Sequence, residues 1–213
     1  MVSYANLLDL AKRLAYPIFR FENKMIRRNG LLIDQYEKRN QLLGVCKYLF
    51  IGDSHTVGLK KISSNLPEMI NVGIEGDTTR GVLLRSKRNI SNIKAHTAVI
   101  QIGYNDFRYR SADDAFKNYK KIISLVNSKK IYIVSLFPID YRRSVVNNKI
   151  IKFNQNLKKM CDESGGSLNY IDMHEKFYRP DIKGISPELT NDGVHLGKNG
   201  NIIYGKILKD ILI

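Results

Sequence analysis

The stretch Tyr48-Leu49-Phe50-Ile51-Gly52-Asp53-Ser54 decides how this chain folds. Four apolar residues in a row read as a strand covered on both faces, since a strand with one wet face would alternate. The glycine that follows lets the backbone turn sharply at the strand end. Asp and Ser then suit a helix start, where short oxygen-bearing side chains satisfy free backbone N–H groups. Strand, tight turn and helix in that order open a parallel α/β sheet.

Outward from this stretch, apolar runs alternate with helical spacing to the C-terminus. Strands are expected over residues 48–51, 69–72, 97–102, 131–136 and 168–172. Helices are expected near 57–63, with a first turn beginning at about Ser54, and over 79–87, 112–127, 146–162 and 199–212. The pattern predicts one three-layer α/β/α domain over residues 47–213 with a flavodoxin-like parallel sheet. Lys183-Gly184-Ile185-Ser186-Pro187 reads as a loop. Residues 1–46 read as an N-terminal helical extension. Leu7, Leu8, Ala11, Leu14, Ala15 and Ile18 recur at helical spacing, Pro17 breaks the run, and a second helix is expected over 31–43. This extension should pack on its own domain or on a second copy of the chain, giving a homodimer. The alternative is a membrane surface met by Lys12, Arg13 and Arg20.

The chain has 213 residues, enough for one full core, and its 43% hydrophobic and 26% charged fractions are ordinary. Its net charge of +15 is not. Such a balance favours acidic partners: nucleic acid, an anionic membrane or an acidic glycan. No long basic run or nucleic-acid module accompanies it, so the charge reads as scattered over a solvated surface. Cys46 and Cys161 make no disulfide framework and are expected reduced and partly buried. Asp9, Lys12 and Arg13 interrupt the N-terminal apolar residues, which argues against a secretion signal. No run approaches the ~18 apolar residues of a spanning helix. A cytoplasmic protein is expected, with peripheral membrane contact as the alternative.

Parallel sheets place ligands beyond the carboxyl ends of their strands. Ser54 follows the first expected strand, Gly76 the second and Asn105 the third, so all three reach one rim. A serine hydroxyl is a weak nucleophile until a base takes its proton. His195 is the candidate base. Asp192, three residues earlier, can reach its Nδ1–H, fixing the tautomer and stabilising the imidazolium. Asn105 offers a neutral, directional amide donor to an oxyanion, and Gly76 and Ser54 offer backbone N–H groups. His55 abuts the serine as a candidate pocket residue; His96 and His174 carry no partner signature. The chain lacks a Gly-x-Ser-x-Gly elbow, a complete phosphate loop and metal-ligand spacing, so neither a cofactor nor a metal is expected.

The blocks Gly52-Asp53-Ser54, Gly76 within Asn71-Val72-Gly73-Ile74-Glu75-Gly76-Asp77-Thr78, Gly103-Tyr104-Asn105-Asp106 and Asp192-Gly193-Val194-His195 together resemble the SGNH (GDSL-type) hydrolase family. Residues 71–80 look most like its platelet-activating-factor acetylhydrolase subgroup. The resemblance implies Ser54, Asp192 and His195 as the triad and Ser54, Gly76 and Asn105 as the oxyanion hole. It implies a carboxylic-ester hydrolase removing a small acyl group, acetyl first, from a polar or carbohydrate substrate. Some polysaccharide-acylating relatives share Gly-Asp-Ser-His, so carbohydrate O-acetyl transfer is the alternative. A protein that only binds nucleic acid or anionic membrane is the reading from another class.

Overall fold

The computed structural model describes Glu22 and residues 44–59 and 68–213. The helices expected over 7–18 and 31–43 lie outside the described residues, as does the end of the helix expected over 57–63. Five strands form one parallel sheet: β1 (Val45–Gly52), β2 (Met69–Asn71), β3 (Lys94–Gln101), β4 (Ser128–Val134) and β5 (Leu168–Ile171). Their order is β2-β1-β3-β4-β5, the flavodoxin-like order. Phe50 pairs with Asn71 on one side and Val99 on the other, so β1 lies inside the sheet.

The apolar run of β1 is buried on both faces. Leu49 and Ile51 point into a layer with Ile100, Val82 of α2 (Thr79–Asn89), Tyr119 and Ile122 of α3 (Ala112–Leu125) and Phe153 and Leu157 of α4 (Ser144–Asp162). Tyr48 and Phe50 point the other way, toward Phe177 of α5 (Met173–Phe177) and Tyr204 and Leu208 of α6 (Lys198–Leu212). Successive side chains of a strand face opposite sides, so one contiguous apolar run fills two cores.

As expected, α1 (Ser54–Gly58) starts at the serine, where the Asp53 side chain caps it. Two details differ from the sequence reading. The sheet region begins at Val45, two residues before the expected boundary. The expected loop 183–187 contains a strand: β7 (Gly184–Ile185) pairs antiparallel with β6 (Tyr178–Arg179).

Candidate active site

Gly52 ends β1 where no side chain fits. A Cβ there would lie 2.0 Å from Thr56 Oγ1 and 2.3 Å from the Gln101 carbonyl. The chain can therefore turn directly from the strand into α1. Asp53 Oδ1 accepts from the His55 N–H at 3.1 Å, and the Asp53 carbonyl accepts from the Val57 N–H at 3.0 Å. Asn71, at the end of β2, locks the neighbouring loop to α1. Its Nδ2 donates to the Thr56 carbonyl at 2.6 Å and its Oδ1 accepts from the Gly73 N–H at 2.9 Å. Ser54 thus sits on a turn fixed from both sides.

Gly76 follows in a tight turn closed by the Asp77 N–H on the Ile74 carbonyl at 3.1 Å. Its φ of +72° is backbone that L side chains rarely adopt. Thr78 then caps α2 by accepting from the Gly81 N–H at 3.1 Å. Asn105 lies in a short helical turn after β3, 7% exposed, and its Nδ2 donates to the Asp77 carbonyl at 3.0 Å. The amide nitrogen carries two hydrogens, so this bond takes one and leaves a second donor beside the Gly76 turn.

Asp192 and His195 meet in the loop before α6. Asp192 Oδ2 is 2.8 Å from His195 Nδ1, and Oδ1 accepts from the His195 N–H at 2.7 Å and the Val194 N–H at 3.0 Å. Burial alone would raise this carboxyl. The hydrogen bonds from His195 and Val194 outweigh it and hold the group at about 2. An ionised carboxylate only accepts, so the hydrogen lies on Nδ1 and Nε2 keeps its lone pair. The loop is pinned by the Asp140 N–H on the Gly193 carbonyl at 2.8 Å and by Thr190 Oγ1 on the His195 carbonyl at 2.8 Å.

Ser54, His55, Gly76 and His195 line one cleft of roughly 410 Å³, together with Glu75 and Leu196. The structure therefore brings together the serine, the glycine and the histidine singled out in the sequence. Asn105 joins them through Asp77, and Asp192 through His195. His55 is buried with its ring 5.0 Å from Phe137 and 6.0 Å from His195. Burial, then the neighbouring His195, lowers it to about 3, so it is neutral and not a competing base. Cys46 and Cys161 are buried free thiols, raised to about 11 mainly by burial. His174 stacks on Tyr178 with centroids 5.5 Å apart, away from this cleft.

Sequence reasoning missed a layer of buried charge behind the cleft. Asp77 pairs with Arg85 at 2.9 Å, both buried. Asp106 accepts from the Thr79 N–H at 2.8 Å, from Thr79 Oγ1 at 2.6 Å and from Arg110. Arg110 also donates to Glu22 at 2.5 Å. Arg110 therefore turns inward, onto Asp106 and Glu22. Arg179 is likewise engaged, with Asp181 and Ser186. The local signal was present at Asp77 and Asp106, each directly after a candidate oxyanion residue. Nothing local marked Glu22.

A family model described as GDSL-like Lipase/Acylhydrolase matches residues 50–202, a span holding every residue of this cleft. The chain belongs to this family. It is accordingly a hydrolase acting on esters, of the SGNH type and similar to platelet-activating-factor acetylhydrolases. It is 28% identical over 198 residues to platelet-activating factor acetylhydrolase IB subunit alpha2 of Rattus norvegicus, covering 88% of this chain and 81% of that one. The Homo sapiens protein matches to the same extent. Among solved structures, a putative platelet activating factor from Streptococcus pneumonia superposes with TM-score 0.76 at 23% identity, over 93% of this chain and 99% of that one. A catalytic mutant of an acetylxylan esterase from Geobacillus stearothermophilus superposes with TM-score 0.63 at 18% identity, over 78% and 94%. The acetylhydrolases and the esterase among these matches are named as hydrolases, and nothing in the matches favours the acyl-transfer alternative. Among the described residues no helix is long and apolar enough to cross a membrane.

Proposed function

We propose that this chain is a serine esterase that removes a small acyl group, acetyl first, from a polar or carbohydrate alcohol. The observation that carries the reading is the Asp192–His195 pair, 2.8 Å apart, whose histidine lines one cleft with Ser54. His195 Nε2 takes the Ser54 hydroxyl proton as Oγ attacks the ester carbonyl. The oxyanion is held by the Ser54 and Gly76 N–H groups and the free hydrogen of the Asn105 amide. Collapse expels the alcohol, which takes the proton from His195, and leaves acyl-Ser54. Water then gives its proton to His195, attacks the acyl carbon, and the acid departs as Ser54 regains its proton. Asp192 stays ionised throughout and stabilises the transient imidazolium.

Two similar proteins bear on acyl size. Platelet-activating factor acetylhydrolase and acetylxylan esterase differ in the alcohol their names imply, yet both names specify acetyl. The cleft of roughly 410 Å³ has polar Glu75 and Asn201 in its wall. A long acyl chain needs a continuous apolar trough, repaid at about 0.8 kcal/mol per buried CH₂. A screen of acetyl, butyryl and octanoyl esters alongside acetylated xylo-oligosaccharides tests the reading. Acetyl should exceed octanoyl in kcat/KM by at least about tenfold, equivalent to about 1.4 kcal/mol of transition-state binding. A preference for octanoyl would contradict the small-acyl assignment and leave the triad standing.

A further inference from the structure

We propose that Glu22 is a positioning residue for the oxyanion hole: from upstream of the α/β fold, it holds the Gly76 loop and the Asn105 turn in one register. Its carboxylate is fully buried and reaches partners 56 and 88 residues away in sequence. Oε1 accepts from Thr78 Oγ1 at 2.7 Å and from Arg110 Nη2 at 2.5 Å, and Oε2 lies 3.5 Å from Arg80 Nη1. Arg110 Nη1 donates to Asp106 Oδ1. Asp106 in turn accepts from the backbone and hydroxyl of Thr79. The circuit Thr78–Glu22–Arg110–Asp106–Thr79 is therefore closed.

What the circuit joins gives it a role. Thr78 is two residues from Gly76, and Asp106 is the neighbour of Asn105. The Asn105 amide already touches the Asp77 carbonyl, so the two loops that carry the proposed oxyanion donors meet directly. A shift of either loop would misaim a donor, and misaimed donors cost rate rather than binding. A buried carboxylate is tolerated only while its donors are in place. Glu22 thus favours one arrangement of the two loops over a spread of them. Arg110 suits the bridge because its planar fork offers Nη1 to Asp106 and Nη2 to Glu22 in a fixed geometry, which a lysine's single, rotatable ammonium does not impose.

The role presupposes the esterase reading, so the test must keep the two apart. Steady-state kinetics with p-nitrophenyl acetate are measured on the full chain as wild type, Glu22→Gln, Asn105→Ala and the double variant. Glu22→Gln should lower kcat at least about tenfold while KM stays within about twofold, as expected when only transition-state contacts weaken. In the Asn105→Ala background the same change should cost less than about threefold, because one of the two donors it keeps in register is already gone. Equal losses in both backgrounds, or none in either, would overturn the proposal. Should Glu22→Gln fail to fold, Arg110→Lys replaces it with the same two outcomes. Ser54→Ala is run alongside. Full activity there removes the esterase reading itself. Activity lost there but unchanged in Glu22→Gln removes only the positioning role.

Discussion

At the scale of single residues, the carboxylates around the cleft have divided tasks, and their environments set the division. Asp192 has its Oδ atoms occupied by His195 and Val194 and is held at about 2. It is ionised at any working pH and can orient His195. Asp192→Asn should keep the fold but present the wrong tautomer, lowering kcat by about 10³–10⁴-fold in a steady-state assay. Asp53 is the opposite case. Burial raises it from 3.8 to about 7, against the His55 N–H bond that lowers it. An acid raised in the folded state keeps its proton there longer than in the unfolded chain. Stability therefore falls as pH rises from 3.8 through about 7 and levels off above. Asp53→Asn removes this dependence. Relative to the variant, the wild type should lose roughly 2–3 kcal/mol between pH 5 and pH 8, read as a widening gap in Tm. A constant gap would show that Asp53 is not a buried acid. His55 acts in reverse. It is held near 3 against an ordinary 6.5, so stability falls as pH drops below 6.5.

At the scale of elements, the sheet and its helices were legible because β1 and β3 are apolar runs and the helices between them are amphipathic. What escaped were polar residues that serve a neighbouring backbone. On α4, Asn147 and Asn154 are two turns apart and both face inward. Asn154 accepts from the Leu136 N–H at 2.8 Å and donates to the Leu136 carbonyl at 2.9 Å. Asn147 does the same for Ile139, at 3.0 Å each way. Together they replace the sheet partner that the chain loses after β4. In sequence an Asn on an amphipathic helix reads as part of the wet face, so this function left no trace. Asn154→Leu should strand both backbone groups of Leu136. A loss of about 2–4 kcal/mol is expected in denaturant unfolding, larger than for a surface Asn.

At the scale of the whole molecule, the rim of a parallel sheet explains why residues scattered over 142 positions read as one site. Ser54, Gly76 and Asn105 follow three adjacent strands, and the chain returns to the same rim at His195. That convergence follows from topology and was legible before any coordinates. Glu22 was not, because a buried carboxylate gains its meaning only from Thr78 and Arg110, which no local pattern ties to it. The central claim is that ester cleavage passes through an acyl group on Ser54, and acid quenching of a reaction with p-nitrophenyl acetate followed by peptide mass spectrometry tests it most directly. The account predicts one added acetyl group on the peptide containing Ser54 in the wild type, none in Ser54→Ala, and loss of nearly all hydrolysis in that variant. Acetyl found on another residue, or full hydrolysis by Ser54→Ala, would contradict it.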